Sequence, residues 1–272
     1  MSLLTSDQFA YIQFLFEKYM RLMEPVLLAF MLLSITLAGC LSDLEEGDEE
    51  IVLIVNTGQT NGTVVQSFTD GELVSTNNVT MIFDFSETYS DRELMSFGID
   101  LLDGEAPTVV DAKTDSTISI DFSNHGMYEI IAFATDERNQ TQNMPIYIII
   151  EMRIDWMEYS TYEPQPMTIN PIPTNGGTSP SSIIIDSRVE NPELIEDVSS
   201  GREVEITWSL VDSAEDACQT RSGLVHDGES VEWETIHFNT FLVHELRINY
   251  DSGQDYINVN QSVLIEYDDE IG

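Results

Sequence analysis

From Ile51 onward, apolar and polar residues alternate in short runs that predict β-strands. Met81, Phe83 and Phe85, for example, alternate with Ile82 and Asp84. A period of two places one side of a strand in a core and the other side in solvent. The runs are rich in Val, Ile, Thr, Phe and Tyr and are separated by Gly, Asn, Asp and Ser, so we predict an all-β fold. The runs in the first half are 51–55, 79–85, 95–101, 117–122, 128–134 and 144–152.

The second half of the chain shows the same alternation. Apolar residues recur at every second position in 204–210 and, apart from His244 and Gln261, in 242–250 and 257–267. Prolines gather between Pro164 and Pro180 and indicate an irregular connection. Two antiparallel, immunoglobulin-like β-sandwich domains are the simplest assembly of these strands, and we place them at 51–152 and 153–272. The apolar stretch around this boundary is nearly continuous, so we expect the last strand of one domain to run into the first strand of the next.

The first 39 residues differ in character from the rest. Lys18 and Arg21 precede the uncharged apolar run 26–38. A membrane-spanning helix needs about 20 such residues, so this shorter run fits the hydrophobic region of a secretory signal better. We therefore predict that residues 1–39 are an N-terminal signal helix. Met20 or Met23 is an alternative start for it.

A lipid attachment site follows directly. Leu37-Ala38-Gly39-Cys40 resembles the lipobox of prokaryotic lipoproteins, and the resemblance implies that Cys40 is lipidated and becomes the first residue of the mature chain. The alternatives are an uncleaved anchor or a buried free thiol. Residues 40–50 are rich in Asp and Glu and are expected to form an extended tether. This layout predicts a protein bound by a lipid to the extracellular face of the cell membrane.

Charge narrows the range of partners. The chain has 10 Lys and Arg against 49 Asp and Glu, which gives a formal net charge of -39. Such a charge repels phosphate backbones, so a nucleic-acid partner is excluded. Surfaces this poor in Lys and rich in acids resemble those of proteins from saline habitats. The carboxylates are thus either a solvated surface suited to salt or, in clusters such as Asp100, Asp103 and Glu105, a candidate calcium site.

Two motifs in the first predicted domain resemble those of a known family. The segment 83–91, Phe-Asp-Phe-Ser-Glu-Thr-Tyr-Ser-Asp, resembles the opening of PKD (polycystic-kidney-disease-type) repeats, and 126–136 resembles their closing strand. The resemblance implies a β-sandwich over 51–152. In the middle, at 99–105, the Trp and one Gly of the family motif are missing. A related immunoglobulin-like or cadherin-like sandwich therefore stays open.

The motif residues fit structural roles. Short polar side chains at Ser86, Asp91 and Asp136 are placed to accept backbone N–H groups in tight turns. Tyr128 is placed to bury its ring while its hydroxyl group finds a hydrogen-bond partner. We expect these residues to stabilise the fold rather than to bind a ligand.

Candidate modification sites are easily found, whereas catalytic ones are not. Sequons for N-glycosylation lie at Asn61, Asn78, Asn139 and Asn260, and Asn139 falls in a predicted turn. The sequence contains no G-x-S-x-G, Walker or G-x-G-x-x-G motif, so we predict no catalytic residues and no enzyme.

The histidines and the second cysteine do not suggest a metal site either. On one strand, His237 and His244 would face opposite sides and could not bind one ion. We therefore predict no cofactor, with calcium as the one alternative left open. Cys218 lacks a nearby histidine in sequence and is expected to pack in the fold. His244 is expected to be a hydrogen-bonded core residue.

These features predict a non-catalytic binding, adhesion or spacer module whose partners are the membrane and either surface glycans or other surface proteins. The alternative is an accessory carbohydrate- or protein-binding subunit of an extracellular hydrolase or transporter. The position of Trp156, Trp208 and Trp233 discriminates between these roles. Grouped on an open face they would favour glycan stacking, and buried they would favour a scaffold.

Salt is predicted to stabilise the protein. Self-repulsion among the carboxylates opposes the compact state, and the screening length falls from about 8 Å at physiological ionic strength to about 3 Å at 1 M. The melting temperature should therefore rise as NaCl is increased from about 0.05 to 1 M, as measured by differential scanning calorimetry. A flat or falling melting temperature would contradict this explanation of the composition.

Overall fold

A computed structural model describes residues 51–193 and 202–268. This part of the chain contains sixteen β-strands and no helix, so the predicted all-β fold is confirmed. It accordingly contains no helix able to span a membrane. The predicted signal segment, Cys40 and the acidic tether lie outside the described residues.

The strands of the first half are β1 (Asn56–Thr57), β2 (Asn61–Thr69), β3 (Glu72–Asn77), β4 (Val79–Asp84), β5 (Leu94–Asp100), β6 (Thr108–Asp111), β7 (Thr117–Phe122) and β8 (Gly126–Asp136). Those that follow are β9 (Thr141–Thr161), β10 (Met167–Ile169), β11 (Ser182–Glu190), β12 (Val204–Asp212), β13 (Ala217–Val225), β14 (Ser230–His237), β15 (His244–Ser252) and β16 (Ile257–Glu266).

The strands form three sheets. A three-stranded sheet has the order β1-β4-β7, and a four-stranded sheet has the order β10-β15-β12-β13. The largest sheet has nine strands, seven of them in the order β14-β11-β16-β9-β8-β5-β6, with β2 and β3 added beside β9. All neighbours in these sheets are antiparallel except β2 and β9, which are parallel. The strand β3 pairs with β2 alone, so it forms an edge of the nine-stranded sheet.

The long strand β9 passes through both halves of the structure. Its first part pairs with β8, its second part pairs with β16, and β2 lies along its other side. The predicted boundary between residues 152 and 153 falls inside this strand, where hydrogen bonding continues without interruption. The expectation that one strand crosses this boundary is confirmed, whereas the division into two domains stays a prediction.

Each of the smaller sheets covers part of the nine-stranded sheet. In the first half, Phe85 stacks on Phe97 of β5 with 4.9 Å between the ring centroids. In the second half, Trp208 of β12 contacts Trp233 of β14 at 6.1 Å. Even-numbered residues of β9 are buried in both regions, among them Ile148 and Ile154, so one face of β9 contributes to both cores. The result is the two-layered packing of a β-sandwich.

A row of buried side chains crosses the second half of the large sheet. Pairing register places Trp156, Gln261, Ser187 and Trp233 side by side on four adjacent strands. The Ser187 hydroxyl accepts a hydrogen bond from Nε1 of Trp208 at 2.8 Å, which joins the two layers. Trp156, Trp208 and Trp233 are all buried, so these tryptophans form core and not an open stacking face.

The turn residues of the PKD-like motif differ in importance. Asp136 is buried, and its Oδ1 accepts the amides of Arg138 and Gln140, as the sequence predicts. Desolvation opposes ionisation of Asp136, but these two amides and the Arg92 guanidinium together lower its pKa. Near the start of the segment 83–91, the side chain that accepts a backbone N–H group is that of Asp84 and not, as the sequence predicts, that of Ser86. The Ser86 amide instead donates to Oδ1 of Asp84.

The contact between Ser187 and Trp208 can be tested directly. Replacing Ser187 by Ala leaves the fully buried indole N–H of Trp208 without its acceptor, which should lower the free energy of unfolding by about 1–3 kcal/mol. Urea denaturation followed by tryptophan fluorescence measures this change. As a control, Ser222→Ala removes an exposed hydroxyl group from the neighbouring sheet surface and should change stability by less than about 0.5 kcal/mol. Equal losses in the two variants would contradict the assignment.

Candidate functional site

A groove opens at the start of β8, where the irregular segment after β10 meets the first half of the structure. It has a volume of about 720 Å³, within the usual range for small-ligand sites of about 300–1,000 Å³. We call it the β8 groove. Its lining residues come from five segments of the chain, namely 101–103, 121–124, 127–129, 147–149 and 174–178.

A buried histidine joins the two halves beneath this groove. Nδ1 of His125 lies 2.8 Å from the Tyr267 hydroxyl oxygen, and its Nε2 lies 3.0 Å from the Asn170 carbonyl oxygen. A carbonyl oxygen can only accept, so Nε2 carries the proton and Nδ1 accepts from Tyr267. Burial lowers the pKa of His125 and raises the pKa of Tyr267, which keeps both side chains neutral. This neutral pair holds the segment after β10 against the start of β8.

One wall of the groove is formed by the segment 174–178. Nδ2 of Asn175 donates to the Met127 carbonyl oxygen at 2.9 Å, and its Oδ1 accepts the Gly177 amide at 3.0 Å. A Cβ atom at Gly177 would lie 2.8 Å from that same Met127 oxygen, so a side chain would force the wall away from β8. Glycine at this position therefore allows the close approach.

Two tyrosines give the groove its aromatic surface. Tyr128 is half-buried, meets Phe122 edge to face at 4.9 Å and donates its hydroxyl group to the Asn124 carbonyl oxygen at 2.9 Å. Its predicted role is thereby confirmed, and burial raises its pKa. Tyr147 is its more open counterpart, with 45% of its surface exposed. The Tyr147 hydroxyl lies 3.4 Å from Oε1 of Glu129, its cross-strand neighbour.

The polar groups of the groove are amides, hydroxyls and carboxylates. Asp103, Asp121 and Glu129 contribute negative charge, and Lys, Arg and His are absent from the described lining residues. Oδ1 of Asp121 already accepts the Thr80 hydroxyl at 2.6 Å, which leaves its second oxygen for another donor. The groove can therefore accept hydrogen bonds beside an apolar ring, and it would repel an anionic ligand.

The candidate calcium residues lie in and beside the connection after β5. Oδ1 of Asp100 accepts the Leu102 amide, and Oδ1 of Asp103 accepts the Glu105 amide, both at 2.9 Å. These contacts shape two consecutive turns. A calcium site formed by Asp100, Asp103 and Glu105 stays a prediction.

All four sequon asparagines have exposed side chains. Asn61 begins β2, Asn78 follows β3, and Asn260 lies within β16. Asn139 occupies the predicted turn between β8 and β9 with a φ of 60°, a conformation that Asn adopts more readily than most residues. Their glycosylation stays a prediction.

The sequence-based interpretation of the histidine pair is wrong in its geometry. His237 ends β14 in the nine-stranded sheet, whereas His244 begins β15 in the four-stranded sheet. The two rings lie 4.7 Å apart and do not share a strand. Cys218, expected to pack inside the fold, is exposed and close to both histidines. His244 itself is buried and hydrogen-bonded, as predicted.

Sequence reasoning missed the residues that build the β8 groove. The alternation of polar and apolar residues places Tyr147 on the solvent side of β9. This exposed tyrosine is the signal in the sequence that could have indicated the groove. Nothing local identifies His125 or Asn175 as groove-forming residues, because the contacts that join the two halves, from His125 to Tyr267 and from Asn175 to Met127, span more than forty residues of the chain.

No protein-family model matches the chain, and no curated protein matches it either. Among solved structures, carbohydrate-binding modules of the β-sandwich superfamily align over 79% of this chain and 96% of theirs, at 9% identity and a TM-score of 0.30. A β-glucuronidase of Bacteroides uniformis aligns over 82% of this chain and 30% of its own, at 11% identity and a TM-score of 0.26. A third similar structure is SGBP-B of a Bacteroides ovatus mixed-linkage glucan utilisation locus, solved with a heptasaccharide. It aligns over 76% of this chain and 52% of its own, at 12% identity and a TM-score of 0.22. Similarity of this degree assigns neither a family nor a ligand.

Proposed function

We propose that the protein is a non-catalytic module that binds neutral glycans at the extracellular face of the cell membrane. The observation that carries this proposal is the β8 groove, in which an exposed tyrosine ring lies beside hydrogen-bond acceptors. The buried tryptophans favour a scaffold by the criterion drawn from the sequence and offer no surface for glycan stacking, so glycan binding is assigned to the β8 groove alone. The proposal applies equally to a free-standing module and to an accessory subunit of an extracellular hydrolase or transporter.

The chemistry of the groove selects the class of ligand. A sugar ring presents C–H groups on its face, and these carry partial positive charge that suits the negative face of an aromatic ring such as Tyr147. Its hydroxyl groups point outward from the ring edge and donate to acceptors. Asp121 and Glu129 supply carboxylate oxygens for such donors, and hydrogen bonds to charged acceptors are stronger than neutral ones. Acidic sugars would be repelled by the same carboxylates, so the expected ligands are neutral.

Removing the Tyr147 ring should weaken glycan binding. We expect affinity electrophoresis of the full-length chain in gels containing a panel of neutral polysaccharides to show retardation by at least one of them. Tyr147→Ala should reduce that affinity about fivefold, which corresponds to roughly 1 kcal/mol of lost ring contact.

The matched control is Tyr159→Ala, which removes another exposed tyrosine of β9 that does not line this groove. Its affinity should equal that of the unaltered chain. Absence of retardation by every polysaccharide, or equal losses in the two variants, would contradict the assignment of the groove.

Membrane attachment is the second part of the proposal and is supported by the lipobox-like sequence at 37–40. A lipid with two acyl chains on the Cys40 sulfur would give stable anchoring, since a single myristoyl chain gives only marginal membrane binding. Placing the fold outside the cell agrees with the acidic tether that follows Cys40.

Replacing Cys40 by Ser should abolish lipid attachment. The variant is expected to leave the detergent phase in a Triton X-114 partition, whereas the unaltered protein enters it. Cys218→Ser serves as the control and should partition like the unaltered protein. Detergent-phase recovery of Cys40→Ser with a processed N-terminus would contradict lipid anchoring, and N-terminal sequencing identifies that case.

A further inference from the structure

Three potential metal-binding side chains meet at the border between two sheets. The potential ligand atoms of Cys218, His237 and His244 all lie within 4.8 Å of one another. Cys218 belongs to β13 and His244 to β15, both in the four-stranded sheet, whereas His237 ends β14 in the nine-stranded sheet. The cluster therefore lies where the two layers of the second half come together.

A β-bulge brings Cys218 to this place. In the pairing of β12 with β13, Leu210 opposes Gln219 and Val211 opposes Ala217, so Cys218 is the extra residue. Such an insertion turns a side chain away from the regular alternation of the strand. The bulge thus provides a physical reason why the thiol points to a neighbouring strand end.

The residue after the bulge holds β13 to β14. Nε2 of Gln219 donates to the Ile236 carbonyl oxygen at 3.1 Å, and Oε1 of Gln219 accepts the Thr235 hydroxyl at 2.6 Å. Both contacts lie within two residues of His237. These two hydrogen bonds fix the position of Cys218 relative to His237 and do not involve the side chain of Cys218 or of His237.

One ring nitrogen of each histidine in the cluster is buried without a hydrogen-bond partner in the part of the chain that the structure describes. Nε2 of His244 lies 2.8 Å from the Asn239 carbonyl oxygen and must donate to it, so Nδ1 carries a lone pair. This Nδ1 is buried and has no hydrogen-bond partner among the described residues, and the same is true of Nε2 of His237. His244 as a whole has no exposed surface. Unpartnered buried nitrogens are costly in a folded protein, and a metal ion would satisfy them.

We infer that Cys218, His237 and His244 bind one transition-metal ion of the Zn²⁺ type, with a fourth coordination position open to water. A thiolate with two imidazoles is a donor set suited to Zn²⁺ and unsuited to Ca²⁺ or Mg²⁺, which take oxygen ligands. The Asn239 carbonyl oxygen orients the His244 ring through its second nitrogen, which is the usual arrangement around a metal-bound imidazole.

The geometry needs only a small adjustment. Tetrahedral Zn²⁺ with ordinary bond lengths places its nitrogen and sulfur ligands roughly 3.3 to 3.8 Å apart. Closing to that spacing requires side-chain movements of about one ångström or less, and the exposed Cys218 side chain has room to make them. Binding converts the Cys218 thiol to a thiolate and releases one proton to solvent.

The electrostatic surroundings favour a cation. The Asp212 and Asp216 carboxylates interact electrostatically with the Cys218 thiol and place negative charge beside the cluster. This negative charge attracts a metal ion to the cluster.

Such an ion would fasten parts of the fold that have no covalent link. His237 and His244 are the two ends of the connection between β14 and β15. A metal ion bound to both would close this connection into a loop. Phe238 and Phe241 on that loop are about 70% exposed, and the ion would hold them in one arrangement. Through Cys218, the same ion would also tie β13 to β14 across the two sheets.

Cobalt provides the direct test, because the absorption spectrum of bound Co²⁺ depends on the type and number of its ligands. Reduced, full-length protein should bind one equivalent of Co²⁺ tightly when it is treated with EDTA, exchanged into chelator-free buffer and then titrated. It should show a near-ultraviolet thiolate-to-cobalt band with the intense visible bands of tetrahedral Co²⁺. Addition of Zn²⁺ should remove both features and raise the melting temperature of the unaltered protein.

Variants separate this site from binding to surface carboxylates. Cys218→Ser should lose the thiolate band. His244→Gln should weaken Co²⁺ binding about 100-fold or more, because removing a side chain that binds the metal costs more than the 10–100-fold lost on changing a group that only orients such a side chain. Cys40→Ser and His226→Gln should leave the spectrum unchanged, because His226 is exposed and paired with Glu203. Near-ultraviolet circular dichroism of each apo variant checks that the fold is retained.

Three outcomes would overturn the inference. The first is weak octahedral Co²⁺ spectra without a thiolate band, which indicate carboxylate binding alone. The second is a thiolate band that survives in Cys218→Ser. The third is unchanged Co²⁺ affinity in a folded His244→Gln variant.

Discussion

The alternation of buried and exposed residues along β9 is the constraint on which both halves of the structure depend. Its even-numbered side chains enter the core beneath the three-stranded sheet and then the core beneath the four-stranded sheet. A slip of one residue would turn all of them toward solvent. The pairing partners β8, β16 and β2 each fix this register over a different part of the strand, so the positions of both cores are set together.

The β8 groove is a consequence of the way the two halves share β9. Because β8 and β16 follow each other along the same side of β9, the end of β16 comes near the start of β8. His125 and Tyr267 meet there, and the irregular segment after β10 is held against the first half by Asn170 and Asn175. A wall contributed by the second half thereby faces Tyr147 from the first half. Neither half would form this groove alone.

Much of the strand content could be read from the sequence, because burial on one side leaves a local pattern. The strands around Trp208 and Val259 show clear alternation, and the turn role of Asp136 follows from its position between paired strands. What could not be read were contacts between distant segments. The segment that forms β2 lacks a clear alternation and was not among the predicted strands, and nothing local indicates that it pairs in parallel with β9. The meeting of Cys218 with His237 and His244 depends on a bulge and on two sheets facing each other, and neither leaves a recognisable spacing.

The exposed edge strand β3 makes the solubility of the protein depend on its net charge. One side of β3 pairs with β2, and its other backbone groups are open to a strand of another molecule, a well-known route to aggregation. Electrostatic repulsion between chains of formal charge -39 opposes such association at low ionic strength. Salt ions that screen repulsion between the carboxylates of one chain also screen repulsion between two chains. We therefore expect added salt to raise the conformational stability of the protein and to lower its solubility.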